Sequence, residues 1–388
     1  MESIKDKVAI IGMGCTKFGE RWDKGVEDLL VEAAYEAFED AGIGPKDVQA
    51  AWIGTVFSGL SAITLAPLGL QYIPMTRVEN MCATGTEALR AASYAVIAGV
   101  CDIALAIGVE KLKDSGATGV KGPSIVGDNA DGTSGIGPGY SAPASFAYMA
   151  TRYFNNYKLK PDEGKRLLAE IAVKNHHNGS LNPKAHFKNE LKVEQVMKAP
   201  IVAWPLGLYD CCGVSDGAAA AIVTRADIAK KFRADPIYIK GVSICVGARQ
   251  GAIRQDYDFV HIEENVLASK KAYEDAGIKN PRKEISIAEV HDCFTIHEMI
   301  VYEDLGFSPR GRAREDIEAG TFTLSGELPI NADGGLKCFG HPLGASGLRK
   351  GKAGPRQVKN PRLGLTHNLG GNAGTGIGSC CIVGNEKG

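Results

Sequence analysis

The phrase Tyr35-Glu-Ala-Phe-Glu-Asp-Ala-Gly-Ile43 returns in shortened form as Tyr273-Glu-Asp-Ala-Gly-Ile278, and internal repetition constrains a fold more than any single residue does. Each copy ends a stretch with helical spacing of apolar residues, Val26 to Ala41 in one and Glu263 to Ala276 in the other. Each stretch follows an apolar run that ends in glycine, Val8 to Gly14 and Ile237 to Gly247. Each half closes on a glycine-led run of small or apolar residues, Gly217 to Val223 and Gly378 to Val383. A match this short also arises by chance, but the parts recur in the same order, which favours a duplicated α/β unit.

Within the first unit Leu29, Leu30, Ala33, Ala34, Ala37, Phe38 and Ala41 share one helical face before Gly42. Ile53 to Ser58 has strand character, an alanine-rich helix runs from the segment around Cys82 to about Ala98, and Ile103 to Gly108 is another apolar strand. Strands alternating with helices predict a largely parallel, doubly covered sheet. From Ser115 to Gly207 the composition changes: Gly116, Gly119, Gly122, Gly127, Gly132 and Gly135 break any regular period. Helical pattern resumes at Ser145 to Asn156 and at Pro161 to Asn178. The division expected is a first half of residues 1–114 and 208–235, an inserted loop domain of residues 115–207 covering a substrate site, and a second half of residues 236–388.

The 44 basic and 45 acidic side chains of the 388 residues leave a formal charge of -1, so no single-signed field is available to hold nucleic acid or an acidic membrane. A small-molecule substrate is the default. The N-terminal apolar run is too short for a signal peptide or a membrane span, and Asn385-Glu-Lys-Gly388 is no peroxisomal or retention address, so a cytoplasmic protein is expected. None of the ten cysteines forms a CxxC pair, and they read as thiols rather than as a disulfide scaffold.

Four segments carry candidate chemistry. In Asn80-Met-Cys82-Ala-Thr-Gly85 a thiol precedes a helix of small residues, where the positive end of the backbone dipoles favours thiolate. That effect is expected to lower the thiol's pKa. A buried helix start explains the same residues. The loop Gly334 to Gly347 holds His341 rigidly beside Pro342, as a placed base requires; it lacks the order of a phosphate loop. Gly12-Met-Gly14 has neither the third glycine nor the immediate helix of a dinucleotide site. In Glu289-Val-His-Asp-Cys-Phe-Thr-Ile-His297, a strand persisting from Ile285 would turn His291 and Cys293 to one face. A metal held by His291, Cys293 and His297 lacks a clear fourth ligand, and none is expected. Leu365 to Gly371 is a strand end running into paired glycines, whose amides could face an oxyanion or simply form a turn.

Taken in order, these segments resemble the thiolase superfamily over nearly the whole chain. The His-Asp-Cys-Phe sequence at 291–294 is similar to the archaeal and sterol-carrier-protein-associated branch of acetyl-CoA acetyltransferases. The resemblance implies a thiolase fold in the α/β class: two duplicated βαβαβαββ halves forming a five-layered αβαβα core, plus the inserted loop domain. It implies that Cys82 takes the acyl group as a thioester, that His341 activates it, and that His291 and His341 serve one oxyanion hole. The second cysteine usual in the family is replaced by Asn368, which moves its acid/base role to Cys293. Gly370 matches the glycine whose amide joins that of Cys82 in a second oxyanion hole.

The function implied is thiolytic cleavage of a 3-ketoacyl-CoA by coenzyme A or the reverse Claisen condensation. Coenzyme A is then a co-substrate, with no permanently bound cofactor. Cys212 and Met149 are candidates for the coenzyme A or acyl channel, as are Trp204 and Tyr209, and all four serve equally as core residues. A homodimer or dimer of dimers is expected, and the branch suggests a small zinc-containing OB-fold partner. The rival readings are a decarboxylating ketoacyl synthase, for which a second thiol is superfluous, and a catalytically silent acyl-CoA-binding scaffold.

Overall fold

The first apolar run alternates between two faces. Val8 and Ile10 of β1 (Val8–Cys15) point to one side of a sheet, while Ala9 and Ile11 point to the other, against the buried face of α1 (Val26–Ala41). Gly42 ends α1 in a left-handed C-cap at φ 68°. The computed structural model describes residues 3–58, 62–115, 141–345, 356–372 and 374–388. Most of the inserted glycines, Gly116 to Gly139, and the last residues of the histidine loop lie outside these.

The first unit continues with β2 (Ala50–Gly54), β3 (Met75–Val78), α2 (Thr84–Ile97) and β4 (Ile103–Glu110). Then come α3 (Ala142–Asn156), α4 (Pro161–Ser180), α5 (Val193–Met197) and a short hairpin of β5 (Ile201–Ala203) and β6 (Leu206–Gly207), before β7 (Gly217–Arg225). The second unit opens with β8 (Ile237–Val246), α6 (Gln250–Ile253), α7 (Glu263–Ala276), α8 (Pro281–Glu284) and β9 (Ile287–Glu289). It ends with α9 (Thr295–Asp304), α10 (Ala313–Glu318), α11 (Gly335–Cys338), β10 (Leu363–Gly370) and β11 (Ile377–Gly384).

The main sheet runs β3-β2-β4-β7-β1-β8-β11-β10-β9. Read outward from the β1–β8 seam, β1-β7-β4-β2 mirrors β8-β11-β10-β9, and the pairing directions match step for step. This is the duplicated α/β architecture that the resemblance implies. The sheet is mixed, however, rather than largely parallel. In each unit the closing strand, β7 or β11, runs antiparallel to both neighbours; β11 follows β10 with no helix between them among the described residues, so that pair lacks the crossover a parallel pair needs. The strand expected at Ile53–Ser58 is β2 and stops at Gly54. Buried Glu110 bends the chain there by accepting from the Phe57 amide (3.2 Å) and the Ser58 hydroxyl (2.9 Å).

Helix α2 touches strands of both units. Its Ala88, Ala92 and Val96 share a cluster with Ala104 and Ala106 of β4, Ala219 and Ala221 of β7, and Ile239 and Val242 of β8. Alanine on the helix and on the strands lets α2 lie close under the sheet. The inserted helices α3 and α4 pack on α9, so Phe146, Tyr153 and Leu168 share a core with Ile296, Met299 and Ile300. No helix among the described residues is long and apolar enough to cross a membrane. Ala92→Leu inserts a branched side chain into the close-packed alanine layer and is expected to destabilise the fold by about 2–3 kcal/mol in urea unfolding; an unchanged midpoint would show that the layer has room.

Candidate active site

The nucleophile loop leaves β3 and turns at Met81, whose φ of 49° is left-handed. The Thr84 hydroxyl accepts from the Asn80 amide (2.8 Å) and donates to the Met81 carbonyl, so the first helical residue fixes the turn before it. Cys82 is thereby set half-buried, two residues before α2.

The C-terminal unit supplies the rest. Its contact with the first unit is backbone on backbone: a Cβ on Gly108, near the end of β4, would lie 1.9 Å from the carbonyl oxygen of Gly344. Only glycine lets the segment after His341 and Pro342 reach the strand end. Upstream, the His186 and Phe187 amides donate to the Phe339 and Cys338 carbonyls (2.9 and 3.0 Å), and Phe18 packs edge-on against Phe339. At Gly370 a Cβ would meet the Asn80 carbonyl oxygen at 2.3 Å, which holds the end of β10 against the nucleophile loop. The amide that reaches the Cys82 sulfur is that of Gly371, the residue after the expected Gly370.

Strand β9 ends at Glu289, so strand alternation does not align His291 with Cys293. They meet through the loop that follows. Asp292 between them accepts from the Leu336 amide (2.6 Å) and from Asn175 Nδ2 (2.8 Å), tying this loop to the start of α11, the short helix that ends three residues before His341. The Cys212 amide donates to the Cys293 carbonyl (2.8 Å), and Cys211 bridges Phe294. The Cys82 thiol and one ring nitrogen each of His291 and His341 lie within 4.8 Å of one another. One atom each of His291, Cys293 and His297 does the same. The His291 ring stands edge-on to His341 (5.2 Å between centroids) and to His297 (5.0 Å).

Sequence reasoning named Cys82, His291, Cys293 and His341, and the structure brings all four together. It assigned no role to Asp292, whose bonds to Leu336 and Asn175 join distant segments. Met149 departs from the channel expectation: it is 2% exposed, in an apolar cluster with Phe146 and Phe294, because α3 turns that face onto α9. Trp204 is exposed on the short hairpin.

Electrostatics overturns the expected low thiol pKa. Burial pushes the Cys82 thiol up to about 12; the Gly371 amide opposes this, while Glu110 adds to it. A rise of this size costs about 4 kcal/mol, and a helix terminus returns about 1 kcal/mol, so the resting thiol is protonated. Burial likewise raises Cys293 and Cys212, each reinforced by the neighbouring thiols, and lowers His297 to about 3. The site is a low-dielectric pocket in which the thiols stay protonated and His297 stays neutral. Its chemistry is proton transfer coupled to nucleophilic attack.

A model of the thiolase N-terminal domain matches residues 8–227, and one described as thiolase C-terminal domain-like matches residues 246–379. The chain belongs to the thiolase family. An acetyl-CoA acetyltransferase from Methanothermobacter thermautotrophicus is 38% identical, the match covering 95% of this chain and 97% of the relative. Sterol carrier protein 2 from Gallus gallus is 33% identical over 94% of this chain and 70% of its own. Benzoylsuccinyl-CoA thiolase subunit BbsB from Thauera aromatica is 32% identical over 95% and 96%. Among solved structures, the Ltp2-ChsH2(DUF35) aldolase superposes with a TM-score of 0.84 at 23% identity, covering both chains fully. A monomeric SCP2-thiolase-like protein from Mycobacterium smegmatis gives 0.73 at 16%, over all of this chain and 79% of that one; these two likenesses concern the fold alone. As a thiolase the chain is an acyltransferase.

Because the Cys82 thiol is raised, its thiolate fraction grows with pH well above neutrality. Alkylation of Cys82 by iodoacetamide, followed by peptide mass, should accelerate about tenfold per unit from about pH 7 to about pH 9. A plateau already reached at about pH 7 would reveal a preformed thiolate.

Proposed function

We propose that this thiolase cleaves 3-ketoacyl-CoA with coenzyme A, or runs the reverse Claisen condensation, through an acyl group on Cys82. The convergence of Cys82, His291 and His341 supports this reading. In cleavage, Cys82 Sγ attacks the 3-keto carbon as its proton passes to His341. The C2–C3 bond then breaks, leaving the acyl group on sulfur and an enolate of acetyl-CoA. Cys293 protonates C2 of that enolate; its raised pKa keeps it protonated and ready to donate. Coenzyme A gives its thiol proton to the Cys293 thiolate and attacks the thioester, and His341 returns the first proton to Cys82.

His291 and His341 serve the thioester carbonyl oxygen, which becomes the enolate oxygen. The Cys82 amide and the Gly370–Gly371 segment serve the tetrahedral oxyanion. Coenzyme A is a co-substrate, and no resident cofactor enters these steps. Cys212, joined to Cys293, is kept as a channel residue, and the insertion 115–207 as the cover of the site between halves 1–114 with 208–235 and 236–388. Acetoacetyl-CoA is the default substrate; the benzoylsuccinyl-CoA relative makes aromatic 3-ketoacyl esters worth testing.

Self-association as a dimer is supported by β3, an edge strand paired only to β2 among the described residues. The relative named as a subunit and the Ltp2-ChsH2(DUF35) aldolase, whose name joins two components, support a small partner subunit; the class proposed for it is a zinc-containing OB-fold protein. All ten cysteines are free, in keeping with a reducing cytoplasm.

A panel of 3-ketoacyl-CoA esters with free coenzyme A, read by product mass with and without co-purifying proteins, tests the reading. Coenzyme A-dependent cleavage and an acylated Cys82 peptide are expected, both lost in Cys82→Ala. Turnover of malonyl thioesters without thiolysis would assign the chain to decarboxylating synthases. Binding of acyl-CoA with no acylated Cys82 would leave a silent scaffold.

A further inference from the structure

The residue standing where the family's second cysteine is expected has its own contact in the site. Asn368 is on β10, 4% exposed, and its backbone is fixed by pairing with Ser379 of β11, whose hydroxyl donates to the Asn368 carbonyl (3.2 Å). Its side-chain Nδ2 lies 3.3 Å from Nδ1 of His291, which is 2% exposed. An amide nitrogen can only donate, so Nδ1 must accept and the His291 proton sits on Nε2. The loop is held as well: His297 Nδ1 donates to the His291 carbonyl (2.7 Å).

We propose that Asn368 is a positioning residue that fixes His291 as the neutral Nε2–H tautomer and so makes it a hydrogen-bond donor to the enolate oxygen. This rests on the thiolase reading above and extends it. Loss of the second cysteine at this position then has a compensating use. A thiol at 368 would move a proton, whereas an amide fixes where the proton on its neighbour resides. The titratable groups around His291 are Cys82 on the nucleophile loop, His341 on its loop, His297 on α9 and Cys293 on its own loop, while Asp292 is engaged with α11 and Asn175. An imidazolium has no lone pair to accept from the Asn368 amide, so this contact favours the neutral ring, and the tautomer rather than the charge makes His291 a donor.

Two variants test this. Asn368→Ala frees the ring and should lower kcat about tenfold, less than the ~100-fold typical of deleting an oxyanion donor, with KM changed by less than about threefold. Asn368→Asp offers an acceptor, draws the proton to Nδ1 and stabilises the imidazolium, whose Nε2–H still donates. Its activity should approach that of wild type on the acid side and fall as pH rises through the raised His291 pKa, a descending limb absent from the wild type. Thermal melting and coenzyme A-ester binding of both variants should match wild type. Wild-type kcat and pH profile in both variants, or loss of activity in Asn368→Asp at every pH despite an unchanged melt, would overturn the proposal. Acylation of wild-type Cys82, measured in parallel, separates this outcome from a failure of the thiolase reading: a wild type that is never acylated removes the reading, while an acylated wild type with indifferent variants removes only the role of Asn368.

Discussion

Everything in the site depends on two backbones touching. Gly108 at the end of β4 and Gly344 beyond His341 leave no room for a side chain between them, and this contact joins the first unit, which carries the nucleophile, to the second, which carries the base. Gly370 against Asn80 repeats it from the other side, with the end of β10 seated on the nucleophile loop. Glycine conformations are costly to order, and here that cost brings groups from distant segments to within 4.8 Å. The palindromic sheet explains why the meeting point lies there. Equivalent strands β4 and β10 carry the two glycines whose contacts cross between the units.

Drawing these loops together also excludes water, and the electrostatics follow. A thiol raised to about 12 is inert at rest and becomes nucleophilic only when an acceptor takes its proton during attack. The same exclusion keeps Cys293 protonated and His297 neutral. Such a site does little until a substrate completes it. Fixed amides and a donor of set tautomer then act in a low dielectric, where they are worth most.

Much of this was legible in the sequence because it is local. The bounds of α1 and α7 follow from apolar spacing and a terminal glycine, and Cys82, His341, His291 and Cys293 stand out through the chemistry and order of their short segments. What was not legible is tertiary. The antiparallel closing strands, the short β2 and the early end of β9 depend on neighbours, Glu110 among them, that no window of sequence contains. Asp292 sits in plain view between two site residues, yet its function is a bond to the amide of Leu336, and nothing local predicts it. The thiol pKa was misjudged for a related reason: a helix terminus is visible in sequence, whereas burial, the larger effect, is not.

The division of labour between the two thiols can be read in one experiment. Wild-type protein and Cys293→Ala are incubated with acetyl-CoA in deuterium oxide, and both the acetylation of Cys82 and the deuterium entering C2 of acetyl-CoA are followed by mass. If Cys82 carries the acyl group and Cys293 moves the carbon-bound proton, the variant still acetylates Cys82, more slowly because Cys293 also handles the coenzyme A thiol proton, but loses C2 exchange by at least about 100-fold. Exchange at the wild-type rate in Cys293→Ala would contradict that assignment.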